Sequence, residues 1–193
     1  MANNDAPFGC TPIGQNGGAY NGQVDLMHIT AAAADVLAVG DLVKLAAGGS
    51  ADGLPLCEIV AAGDTVCGIV VGFDWTDGTY DDLPNYKPAA VAANVYVATD
   101  PNLRFIIQDD GSGTVSAATM LNSNANIATY AAANATTGRS QIELSSTSAA
   151  ATSSLDLHIH RLFPTADNEI GDNAIWECSF NIHQYGKAGT TSV

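Results

Sequence analysis

Short runs in which apolar and polar residues alternate dominate the chain, and they are clearest in its last third. Leu155, Leu157 and Ile159 alternate with Asp156, His158 and His160. Trp176, Cys178, Phe180 and Ile182 alternate with Glu177, Ser179, Asn181 and His183. A period of two sends successive side chains to opposite faces, so both segments are predicted as strands with one face inside. The polar stretch 164–173 between them suits a loop joining neighbouring strands. Upstream, residues 24–29 and 41–45 read as strands, and 54–60 with 66–73 as a hairpin across Ala61-Ala62-Gly63-Asp64. The run 66–73 is apolar and β-branched enough for a buried strand. Residues 91–98 and 103–108 form the next predicted pair, joined by Thr99-Asp100-Pro101-Asn102, and Asp109-Asp110-Gly111-Ser112-Gly113 ends it with a strong turn signal. Helix is confined to a short turn in 31–37 and another near 116–121.

Many short strands with little helix predict a single all-β domain, an antiparallel β-sandwich or barrel, over residues 24–193. Residues 1–23 are rich in Asn, Gly and Pro and poor in aliphatics. They are expected to form an extended N-terminal arm rather than an element of the domain. The segment 74–88, DWTDGTYDDLPNYKP, breaks the strand pattern with two prolines and four acidic residues, yet carries Trp75, Tyr80 and Tyr86. Aromatics on such a loop either cap the core or meet a partner, and the pattern alone leaves both open.

Charge changes the functional picture. The chain has 20 Asp and Glu against 6 Lys and Arg, a formal charge of -14, although only 13% of its residues are charged. Its surface must therefore be mostly Ala, Gly, Ser, Thr and Asn with unpaired carboxylates scattered over it. Lys44, Lys87, Arg104, Arg139, Arg161 and Lys187 lie far apart in sequence, so binding to nucleic acid or an anionic membrane is not expected. The first residues have neither the basic start nor the apolar core of a secretory signal. Cys10, Cys57, Cys67 and Cys178 include no C-x-x-C pair and read as buried free thiols, with a Cys57 to Cys67 bridge as the lesser alternative.

Candidate chemistry is sparse. If the two C-terminal strands pair, His158, His160 and His183 on their polar faces could approach one another and hold a zinc-like ion. A solvated sheet face is the preferred reading, because no flanking motif supports a site. Asp74, Asp77, Asp81 and Asp82 could gather around calcium, but their spacing lacks the Gly and terminal Glu of a calcium loop. No nucleophile elbow, phosphate-binding loop or activated-cysteine signature occurs. The chain is therefore expected not to be an enzyme and to need no metal or cofactor.

Five segments, Val39-Gly40-Asp41-Leu42-Val43-Lys44, Val66-Cys67-Gly68-Ile69-Val70-Val71-Gly72, Val95-Tyr96-Val97-Ala98-Thr99-Asp100-Pro101, Thr137-Gly138-Arg139-Ser140 and Asp167-Asn168-Glu169-Ile170-Gly171-Asp172, resemble tailed-bacteriophage virion proteins. More specifically, the chain resembles the small head decoration, or cement, proteins that bind assembled major capsid protein. The likeness covers most of residues 1–185 and rests on turns and strands. It implies a jelly-roll-like or small-barrel fold and a homo-oligomer, dimer or trimer, made in the host cytoplasm and seated on the capsid exterior, where it braces major capsid protein subunits. The expected capsid contacts are Phe8, Ile13 and Tyr20 on the arm and Trp75, Tyr80 and Tyr86 on the loop. Arg139 is expected to pair with Asp167, Glu169 or Asp172 across a subunit or sheet boundary. The competing reading is a carbohydrate-binding β-sandwich on the virion or cell surface, with Trp75 and Tyr80 stacked on sugar rings.

Overall fold

The computed structural model describes residues 3–61, 63–75, 85–128, 130 and 132–189. It is a single all-β domain, 41% strand and 4% helix. Thr11–Gln15 (β1) and Gly18–Ala19 (β2) are followed by Asp25–Ile29 (β3), Leu37–Ala38 (β4), Leu42–Gly49 (β5), Pro55–Ile59 (β6) and Gly68–Asp74 (β7). Tyr86–Lys87 (β8), Ala93–Ala98 (β9) and Leu103–Gln108 (β10) lead to one helical turn, Ala117–Met120 (α1). Asn124–Ala125 (β11), Leu157–Leu162 (β12), Ile175–Phe180 (β13), Ile182–His183 (β14) and Lys187–Ala188 (β15) complete the chain.

Two bodies of strands, each with its own core, share a wall. β3, β6, β5, β7 and β9 close into a barrel in that order, and a six-stranded sheet runs β11-β12-β13-β10-β1-β2. Pairing is antiparallel apart from one parallel contact between β3 and β6 at His28 and Leu56. Met27, Ile29, Val43, Cys57, Val70, Val95 and Val97 fill the barrel. The neighbouring residues Leu42, Ile69 and Ala98 point the other way, against Leu103, Phe105, Ile107, Leu157, Ile159, Trp176 and Phe180 of the sheet. A strand wall with a core on each side has no polar face to show. This is why 66–71 reads as one apolar run.

The C-terminal strands pair as their alternation predicts, with Leu157 opposite Phe180 and Ile159 opposite Cys178. Two other predicted pairings are corrected. β6 and β7 do not form a hairpin, because β5 lies between them and bonds to both. β9 and β10 do not pair either; residues 99–102 carry the chain out of the barrel and into the sheet. Within 31–37, turns lead into β4 and no helix forms.

The first 23 residues also differ from an independent arm. Residues 3–10 form neither strand nor helix, but Gln108 holds them from the sheet, its Nε2 donating to Asn4 O (2.7 Å) and its Oε1 accepting from Ala6 N (3.0 Å). Cys10 N donates to Gly40 O at 2.8 Å. Gly40 has φ 94°, and a Cβ there would lie 2.6 Å from Phe8 O, so the crossing requires glycine. β1 is then an inner strand of the sheet, paired with β10 on one side and β2 on the other. Main-chain bonds rather than apolar side chains secure this segment, and a composition-based reading does not detect them.

Candidate functional site

The outer face of the six-stranded sheet gathers the polar side chains that the alternation of β12 and β13 turns away from the core. A bulge between Ile159 and Arg161 breaks the register there. It lets both His160 and Arg161 address the outer face, a re-aiming that bulges commonly provide. Arg104 comes from β10, opposite Ser179 on one side and Gly14 on the other.

Glu177 is the centre of this face. Its side chain is only 8% exposed, and its two oxygens serve different guanidinium groups, Arg104 Nη1 at 3.0 Å and Arg161 Nε at 2.6 Å. Arg161 is itself 63% exposed. Beside this triad, His158 and His160 meet edge to face with ring centroids 4.6 Å apart. Asn124 Nδ2 donates to Thr152 O at 3.0 Å, which turns the amide oxygen toward His158 Nδ1 at 2.8 Å. That fixes the Nδ1–H tautomer of His158. His160 Nε2 lies 2.9 Å from Ser179 Oγ. Burial, then Arg104 and His158, push the His160 pKa down to about 4. Burial, then Arg104 and Lys187, lower that of His158. Both rings are therefore uncharged at neutral pH.

Two depressions lie on the face. One of about 450 Å³ is lined by His158, His160, Ser179, Asn181 and Lys187, the other of about 360 Å³ by Arg104, Arg161, Glu177 and the β1–β2 turn, and Asn16 borders both. Lys187 Nζ donates to Phe180 O at 2.8 Å, and burial lowers its pKa while nearby Asp100 opposes the shift. The Ser179–His160 pair has the spacing of a nucleophile and base, but the chemistry is unfavourable. A general base must become imidazolium, and the adjacent cations resist that charge.

The third histidine is elsewhere. His183 packs on Phe180 and Tyr185 with centroid distances of 5.0 and 5.9 Å, and its Nδ1 accepts from Tyr185 N. The three histidines considered for a zinc-like ion therefore do not assemble, and among the described residues no group of three potential metal ligands forms.

The remaining predicted residues are dispersed. Trp75 is buried in the barrel core, stacked on Phe73 with centroids 5.5 Å apart, so it caps the core and offers no exposed ring. Tyr20 is half-buried against the larger core and donates to Gln23 O. Phe8 and Ile13 are half-buried, Ile13 at the edge of the arginine groove. Tyr86, in β8, packs over Gly138, where a Cβ would sit 2.7 Å from its ring. Tyr80, Asp77, Asp81 and Asp82 lie outside the described residues. Arg139 is exposed, and among the described residues it makes no ion pair within the chain with Asp167, Glu169 or Asp172. That acidic loop is held by Asn168, which donates to Phe163 O and Ile175 O, and by Asn3, which bonds the backbone of Glu169 and Asp172. Among the described residues, the large apolar side chains left exposed are Val39, Tyr96, Ile170 and Tyr185.

Sequence reasoning missed the arginine triad. Arg104 and Arg161 are remote in sequence and meet only because β13 lies between β10 and β12. The available signal was Glu177, placed on a polar strand face by the alternation around it. Comparison with family models, with curated proteins and with solved structures finds no match for this chain.

Proposed function

We propose that this is a structural virion protein which binds the outer surface of an assembled phage capsid and stabilises it by bridging major capsid protein subunits. One observation carries the reading. Three of the five segments that resemble head decoration proteins converge in the barrel wall that faces the sheet. Leu42 of the first pairs with Ile69 of the second, Ile69 with Ala98 of the third, and Gly40 N donates to Val70 O. The resemblance thus lies in a rigid scaffold, as befits a protein whose work is contact. Exposed Tyr96, Tyr185, Val39 and Ile170 supply apolar anchors on an otherwise small-residue, acidic surface. The charge of -14 keeps free copies apart and steers them from the packaged genome. An oligomer would multiply weak contacts into durable attachment, with exposed Arg139 free to reach an acidic loop of a neighbouring copy. The carbohydrate reading loses its main residue, because Trp75 is buried.

Purified protein mixed with expanded, empty capsids should saturate them at a fixed stoichiometry and raise the temperature at which they disrupt. Binding to DNA or to unassembled capsid subunits, with none to assembled shells, would overturn the proposal.

A further inference from the structure

The outer sheet face is where an acidic chain concentrates positive charge. Arg104, Arg161 and Lys187, three of its 6 basic residues, border the two depressions that share Asn16. Glu177 engages one edge of each guanidinium, through Arg104 Nη1 and Arg161 Nε. Each arginine has five N–H donors in a planar fork, so donors remain on both, and the shared carboxylate has already fixed their orientation. Two positioned guanidinium groups sharing one carboxylate carry excess positive charge and suit the planar oxygens of another acid. The rest of the lining includes the amide of Asn16 and the hydroxyl of Ser179, the latter bonded to His160.

The geometry points to this face as a docking site for an acidic stretch of polypeptide, bound through its carboxylate side chains. The inference rests on the proposed role only in taking that stretch to belong to a shell subunit. The cations border two depressions that meet at Asn16 rather than converging on one point, which favours an extended segment with several carboxylates over a single small anion. Screening confines surface fields to about 8 Å at physiological salt, so a short segment meets chiefly Arg104, Arg161 and Lys187 against Glu177 and nearby Asp100, a local excess of one positive charge. A long polyanion would run onto that surface and be repelled.

The test is fluorescence anisotropy with a labelled oligoglutamate peptide, its oligoglutamine counterpart, and tripolyphosphate as competitor. Oligoglutamate should bind and oligoglutamine should not, with affinity falling steeply as salt rises. Arg161→Gln removes the exposed fork while Arg104 still partners Glu177, and should weaken binding roughly tenfold, the loss of one charge-assisted pair. Arg161→Lys, which keeps the charge, should fall between the two. Absence of oligoglutamate binding, equal binding by wild type and Arg161→Gln, or tighter binding of tripolyphosphate than of oligoglutamate would each overturn the inference. Because no capsid is used, these results are independent of whether the protein binds shells.

Discussion

Asp109 ties the end of the sheet together. Its buried carboxylate accepts from Trp176 Nε1 at 2.8 Å, from Gly111 N and Asn173 N at 2.9 Å, and from Ala174 N at 3.2 Å. Burial pushes its pKa up, while those four donors pull the other way. Asp109→Ala would leave the donors in place without an acceptor, including the indole N–H of a fully buried tryptophan. The expected loss is at least about 3 kcal/mol, read as a shifted denaturant midpoint with unchanged slope. Asp109→Asn keeps one oxygen and should cost less. Lys87 follows similar logic with the sign of charge reversed. It is fully buried, and its Nζ donates to Ala33 O, Asp35 O and Pro88 O at 3.2, 3.1 and 2.9 Å. Neither role could be read from the sequence. Asp109 stands in a turn-forming DDGSG and Lys87 in an acidic loop, where charged residues are ordinarily solvated.

At the scale of elements, β1 is the critical test. A chain lacking residues 1–15 would lose an inner strand, expose the edge of β10, and free Gly40 and Gln108 from their partners. It should fail to fold cooperatively or should aggregate through that edge, as seen by circular dichroism and size-exclusion chromatography. Survival with an unchanged unfolding temperature would show that the segment is a dispensable arm after all. Alternation made β12 and β13 legible, along with the all-β class, because each of those strands has one polar face. The barrel wall was legible as strands but not as pairings. Leu42-Val43 and Ile69-Val70 bury both faces, so nothing in their pattern says which neighbour lies beside them. The segment 54–73 read as a hairpin because its two apolar runs are adjacent in sequence. Intervening β5 is specified by non-local contacts that no local window contains. The candidate site divides in the same way: the histidines appeared through alternation, the arginines only through topology.

For the whole molecule, buried titratable groups of opposite kind set the dependence of stability on pH. Burial, and then the carboxylates of Asp5, Asp110 and Asp109, push the Glu143 pKa up to about 7, and burial raises that of Asp41 to about 6. In both cases the folded state holds a proton that the unfolded chain releases near pH 4. Stability from these groups therefore falls as pH rises from about 4 to about 7 and is level above that. His160 and His183 act oppositely. Their pKa values are pushed down to about 4, so the unfolded chain takes up protons first, and their contribution is lost as pH falls from about 6.5 toward 4. The two trends oppose each other across the acid range, which flattens the wild-type profile. Glu143→Gln removes one carboxyl limb without touching the histidines. The variant should match wild type in thermal stability near pH 3, where Glu143 is protonated in both states, and exceed it by a constant margin above about pH 8. Its profile between pH 4 and pH 6.5 should then show the histidine limb openly, as a rise in melting temperature with pH that wild type lacks. A gap between the two proteins that is the same at pH 3 and pH 8 would mean that Glu143 acts through packing rather than through its proton.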